Sequence, residues 1–243
     1  MTDHAYGSQG SRPTVAMLLY PGLTLIDLVA PLTAFALGMD VHLVWKNTAP
    51  ITSDTGTVLH PTTSFADCPA ELDIVFVPGG QYQAPVAGDE EVLAFLADRG
   101  SRARYVTSVC GGSLLLGAAG LLRGYRAATH WSSRHILPLL GAENVTERVV
   151  IDRNRITGGG ATAGLDFGLV VVAELLGNEA AKLAQLVMEY DPQPPFDSGT
   201  PEKAGADLTR EAARFLQPIQ DGMADALENL AVRRWETPIE AGR

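Results

Sequence analysis

Cys110 and Asp27 are the two side chains of this 243-residue sequence whose type and setting point most directly to chemistry. Cys110 closes the apolar run Tyr105-Val106-Thr107-Ser108-Val109. Gly111-Gly112-Ser113 follow at once, and then the helix-compatible residues 114–120. Strand, cysteine, small residues and helix make the pattern of a nucleophile elbow, a strained turn that presents one side chain at the carboxyl end of a strand. The turn also sets the sulfur beside the free N–H groups of a helix start, whose dipole favours a thiolate. Gly111 and Gly112 let a substrate or a neighbouring backbone approach closely. Free cysteines more commonly serve as small buried hydrophobes. The spacing and the flanking glycines separate Cys110 from that background.

Asp27 lies among Leu23, Leu25, Ile26, Leu28 and Val29, so its carboxyl is expected to be poorly hydrated. Desolvation raises a carboxyl pKa, and a nearby thiolate raises it further. A protonated carboxyl can donate a hydrogen bond to sulfur and later supply the proton. Asp27 equally suits an N-cap of the helix containing Pro31, and the two roles are compatible. Gly79-Gly80 offer backbone N–H donors to developing negative charge, although two glycines after a strand also make a plain turn. His130, beside Trp131, reads as a packed, hydrogen-bonded core residue rather than a member of the site. His42, His60 and His135 show no metal-ligand spacing, and no cysteine–histidine cluster exists, so no metal is expected. Cys68 precedes a proline without an elbow and reads as structural. Gly158-Gly159-Gly160 lacks the spacing of a dinucleotide fingerprint, and no phosphate-binding loop is found.

The elements that must position these groups follow from periodicity and punctuation. Residues 15–19 form a buried strand ended by Pro21-Gly22. A helix carries Pro31 in its first turn and runs to Gly38. Residues 41–45 form a second strand, and residues 51–60 a small hairpin. Residues 74–77 form a buried strand closed by Pro78-Gly79-Gly80, and residues 89–99 a helix with acidic residues at its start. After the elbow come a strand at 127–129, a helix at 131–140 interrupted near Pro138, and a hairpin from 144–150 and 155–157. Helices are expected at 163–176, 179–190 and 206–235, the last kinked or divided at Pro218 and Gly222. Strands alternating with helices predict an α/β fold, a mostly parallel sheet with helices on both faces. Its ligand crevice lies beyond the carboxyl ends of the strands, where residues 20–27, the Pro78-Gly79-Gly80 turn and the elbow must meet.

Length and composition suit one domain with a substantial core. Residues 1–13 are expected to be a disordered tail, 14–200 the α/β domain, and 201–243 a helical extension packing on the domain or on a second subunit. Leu208, Ala212 and Phe215 give that extension an apolar stripe seeking a partner. A net charge of −10 argues against nucleic acid, whose phosphates would be repelled. Two cysteines make no disulfide framework, so a reducing cytoplasm is the expected location. No apolar stretch reaches the length of a membrane span.

Asp27-Leu28-x-x-Pro31, Val77-Pro78-Gly79-Gly80 and Val109-Cys110-Gly111-Gly112-Ser113 together resemble the ThiJ/PfpI superfamily. The resemblance implies a flavodoxin-like α/β fold in which the elbow cysteine pairs with an acidic residue from the first βα loop. Further segments are similar to the isonitrile hydratase subgroup. Among them are His42-Leu43-Val44-Trp45-Lys46, residues 62–69, Thr129-His130-Trp131, Glu147-Arg148-Val149-Val150 and Glu189-Tyr190. That likeness implies hydration of isonitriles to N-substituted formamides in a homodimer, with water as co-substrate and without metal or organic cofactor. Cys110 would add to the isonitrile carbon to give a thioimidate, and Asp27 would act as general acid and base. Gly79, Gly80, Gly111 and Tyr190 would bind substrate. Two departures stand out. The subgroup carries threonine where this chain has Gly111, and Gln81-Tyr82-Gln83 replaces a glycine-richer stretch, which alters the pocket.

Four other readings compete. A PfpI-type hydrolase would need a histidine directly after the cysteine, which Gly111 cannot supply. A thiol enzyme acting on another small electrophile, or a non-enzymatic sensor in which Cys110 is oxidised to a sulfinate, would use the same elbow. A ligand-sensing regulator domain would bind without turnover.

Overall fold

A computed structural model describes residues 11–236; for residues 231–236 it describes the backbone alone. Residues 1–10 of the expected tail and 237–243 of the expected extension lie outside the described residues. Arg12, just inside, pairs with Asp40 at 3.3 Å.

In chain order the elements are β1 (Thr14–Leu18), α1 (Leu25–Phe35), β2 (Asp40–Trp45), β3 (Ile51–Thr52), β4 (Val58–Leu59), β5 (Thr63–Ser64), β6 (Ile74–Val77), α2 (Gln83–Ala87), α3 (Glu90–Arg102), β7 (Tyr105–Val109), α4 (Gly112–Ala118), β8 (Arg126–Ala127), a 3-10 helix (Trp131–Leu140), β9 (Glu143–Asn144), β10 (Val149–Asp152), β11 (Arg155–Gly158), α5 (Ala163–Leu176), α6 (Asn178–Val187), α7 (Pro201–Ala204) and α8 (Ala206–Glu236). Seven strands form one sheet in the order β10-β11-β7-β6-β1-β2-β5. Every pairing in it is parallel except the β10–β11 hairpin. The mostly parallel sheet expected from the alternating pattern, and the flavodoxin-like fold that the resemblance implies, are therefore the arrangement observed.

The order of the strands locates the crevice. From β1 the chain crosses to β2 on one side, whereas β6 crosses to β7 on the other. Right-handed crossovers then place α1 and α3 on opposite faces, and the switch falls between β1 and β6. In register, Val15 faces Ile74 and Met17 faces Phe76, so the loops after β1 and β6 leave the sheet side by side. Val77 pairs with Ser108, which sets the end of β7 next to them. The α1–α5 layer is anchored by Phe35, Phe76 and Phe167, whose rings meet at 5.6–6.3 Å. These three side chains are fully buried. Edge-on aromatic contacts of this kind add to the apolar area they remove from water.

Several local expectations are corrected. Pro31 is the seventh residue of α1, not a first-turn residue. The 127–129 stretch contributes only β8, which pairs with β9 outside the main sheet, because β11 is already flanked by β7 and β10. The 131–140 helix is 3-10 throughout and closes on Gly141 at φ +79°. Helix α8 runs on through Pro218 and Gly222 without division. Contacts beyond both residues pin it to the domain. Met223 is fully buried, and Leu230 packs with Leu93 and Ala118 of the α3–α4 layer. The stripe residues Leu208 and Phe215 remain exposed.

Candidate active site

Cys110 sits at φ +54°, a left-handed conformation that a side chain rarely adopts. Its surroundings impose it. The Cys110 N–H donates to Gly159 O at 2.7 Å, and the Thr129 hydroxyl donates to Cys110 O at 2.7 Å. Ser113, the second residue of α4, donates to Ala128 O at 2.6 Å. Strain of this kind persists only where neighbours over-determine it, and here the neighbours lie on both sides of the turn.

The loop after β6 brings Asp27 to the elbow. Tyr20, fully buried, donates to Pro78 O at 3.0 Å, and the Thr24 N–H donates to Gly79 O at 2.9 Å. Held so, the Gly79 N–H donates to Asp27 Oδ2 at 3.0 Å. A Cβ on Gly79 would lie 2.5 Å from Gly111 N, 2.8 Å from Asp27 Oδ2 and 3.0 Å from Cys110 Cβ, so only glycine lets the three meet. Asp27 is therefore not an N-cap. Thr24 holds that position, and Asp54 accepts from the Leu25 N–H at 3.0 Å to satisfy the helix start.

The proton inventory differs from the expected thiolate. Burial pushes the Asp27 carboxyl up to about 7, against the opposing effects of the Cys110 thiol and the Gly79 N–H. Burial, and then the charge of Asp27, push the half-buried Cys110 thiol well above its ordinary range, outweighing the Gly111 N–H. Near neutrality the thiol thus keeps its proton beside a carboxyl that is partly ionised. The helix-start dipole is overruled by desolvation and a like charge. Such a pair titrates as a unit, and it can attack one carbon and move one proton.

Beside the elbow opens a cavity of about 160 Å³. Gly80, Gln83, Gly111 and His130 line it, and Leu216 and Ile219 of α8 form an apolar wall. His130 thus does face the crevice. Its Nδ1 accepts from the Ser132 N–H at 3.4 Å, and burial followed by the charge of Arg134 lowers its pKa, so it stands there neutral. Gly79, Gly80, Gly111, Asp27 and Cys110 converge. Tyr190 does not line this cavity; its hydroxyl donates to Asp166 Oδ1 at 3.1 Å, and Asp166 in turn pairs with Arg148. Among the described residues no group of three or more His, Cys, Asp or Glu is placed to hold a metal ion. No described helix is long and apolar enough to cross a membrane. The sequence reading missed Gln83, Asp54, Leu216 and Ile219. Of these only Gln83 left a trace, as part of a segment that departs from the subgroup pattern.

A strained cysteine after a central parallel strand, with a buried carboxyl from the first βα loop against it, defines a class of α/β protein. The chain belongs to the DJ-1/PfpI family, which it matches over residues 13–174. It is 50% identical over 221 residues to the isonitrile hydratase of Pseudomonas putida, covering 90% of this chain and 96% of that protein. A crystal structure of a ThiJ/PfpI family protein from Pseudomonas syringae superposes with a TM-score of 0.87 at 45% identity, covering 93% of this chain and 98% of the other. The HTH-type transcriptional regulator GbdR of Pseudomonas aeruginosa is 30% identical over 79% of this chain but only 55% of its own length.

Proposed function

We propose that this protein is an isonitrile hydratase, converting R–N≡C and water to R–NH–CHO through a thioimidate on Cys110. The observation that carries the chemistry is the Cys110–Asp27 pair, one nucleophile and one transferable proton held against each other by Gly79. The similarity to the Pseudomonas putida enzyme over nine-tenths of the chain selects the substrate class.

In the first half-reaction the Cys110 sulfur bonds to the terminal isonitrile carbon as its proton passes to Asp27. Asp27 then delivers that proton to the same carbon, giving the thioimidate Cys–S–CH=N–R. In the second half Asp27, ionised again, takes a proton from water as the water oxygen adds to the C=N carbon, and passes that proton to nitrogen. The tetrahedral adduct collapses with loss of the C–S bond, and the thiol recovers its proton as the formamide leaves. Nothing is oxidised or reduced. The amides beside the elbow, at Gly79, Gly80 and Gly111, offer donors to charge developing during addition. Tyr190, whose hydroxyl is committed to Asp166, is assigned to holding the Arg148–Asp166 pair rather than substrate.

A homodimer fits the exposed Leu208 and Phe215 of α8, and light scattering that finds a monomer would remove it. A reducing, cytoplasmic setting would keep Cys110 as a thiol. The deciding experiment incubates the protein with cyclohexyl isocyanide and follows N-cyclohexylformamide. The wild type is expected to form it and Cys110→Ala is not; no product from the wild type, or equal product from both, ends the reading.

A further inference from the structure

We infer that the Gln83 carboxamide positions the water of the second half-reaction, an inference that rests on the hydratase reading above. Gln83 is the first residue of α2 and only 3% exposed, yet it lines the cavity beside the elbow. Its Oε1 is buried and has no hydrogen-bond partner among the described residues. A buried acceptor left unpaired costs about 1–3 kcal/mol, so its persistence at a site calls for a donor that arrives with the reaction.

The position of the group narrows that donor. The carboxamide lies against Gly111: a Cβ there would fall 2.6 Å from Gln83 Nε2 and closer still to Oε1. Glycine at 111 and glutamine at 83 are therefore one structural choice, the amide filling the space that a side chain after the cysteine would need. Asp27 Oδ2 and Gly111 N both crowd the Cβ position of Gly79, so carboxyl and carboxamide reach the same elbow. An isonitrile bears no N–H or O–H and cannot satisfy Oε1. Water can. One O–H directed to Asp27 and the other to Gln83 leave an oxygen lone pair for the thioimidate carbon. The acceptor thus contributes only after the thioimidate has formed, where binding energy raises kcat rather than merely lowering KM.

The test is Gln83→Met, similar in length without an acceptor oxygen, with Gln83→Ala as a second variant that cannot overpack. Each is assayed with cyclohexyl isocyanide and by mass spectrometry of the acid-quenched intact protein. Loss of the water's anchor is expected to lower kcat about 10-fold or more. KM should fall with it, leaving kcat/KM within about 3-fold of wild type because formation of the thioimidate is untouched. Cys110 should then carry the added mass of one isonitrile, which the wild type does not accumulate. Gln83→Glu, which keeps an acceptor oxygen, should not accumulate the adduct. Unchanged kcat in both apolar variants overturns the inference and leaves the hydratase reading standing. So does a fall in kcat/KM without adduct. A wild type that forms no formamide overturns both.

Discussion

The Gly79 amide donates to Asp27 Oδ2 at 3.0 Å, joining the loop after β6 to the third residue of α1 across 52 positions of sequence. This contact fixes where the carboxyl points and leaves Oδ1 without a conventional partner. Gly79→Ala is expected to push the Cβ into Asp27 and Gly111, displacing carboxyl from thiol. Overpacking of this kind costs about 1–3 kcal/mol. Thermal melts should show a modest loss of stability, and formamide turnover should fall far more than the melt alone accounts for. Full activity in a folded Gly79→Ala protein would detach the glycine from the site.

The shared proton predicts a pH profile. The active free enzyme holds one proton on the Cys110–Asp27 pair, whichever atom carries it. Below about 7 the carboxyl gains a second and can no longer take the thiol proton. A plot of kcat/KM against pH should therefore rise through an apparent pKa of about 7 and level off in mildly alkaline solution. A profile flat from pH 5 to 8, on the order of three decades of acidity, would contradict the assignment of Asp27 as base.

Asp27→Asn should separate activity from stability. Turnover is expected to drop by ~10²–10⁴, the usual contribution of a positioned acid–base group. Stability should move the other way. Because the folded state holds the carboxyl proton up to about 7 while the unfolded chain releases it near 3.8, wild-type stability falls as pH rises through that window. The asparagine variant lacks this slope. It should match the wild type most closely below pH 4 and exceed it at pH 8, by on the order of 4 kcal/mol. Urea melts at the two pH values read the difference directly.

Gly111 and Gln83 should behave as a coupled pair. Gly111→Ala alone places a methyl on the carboxamide and is expected to destabilise by about 1–3 kcal/mol. In a Gln83→Ala background the same substitution should be nearly neutral. A double-mutant cycle with a coupling energy below about 0.5 kcal/mol would show that the two positions do not share space.

Much of this architecture was legible in the sequence where the signal is local. The elbow announced itself because an apolar strand, one cysteine and two glycines are contiguous, and the 163–176 helix emerged with its observed bounds. Helix α2 was missed because five residues around Pro85 carry no periodicity, and Gln83 was hidden with it. Pro218 read as a breaker because nothing local reveals Met223 and Leu230 pinning α8 beyond it. The protonation of Cys110 was misjudged for the same reason. The helix start that favours a thiolate is written beside the cysteine, whereas the burial and the Asp27 charge that reverse it come from elsewhere in the chain.

Leu216 and Ile219 wall the cavity from α8, beyond residue 174 where the match to the family ends. On the hydratase reading, part of the pocket wall thus comes from outside the stretch that carries the reacting pair. Drift in the terminal helix would then retune which molecules fit while the inherited elbow stays untouched, giving evolution a dial that turns without disturbing the machinery beneath it.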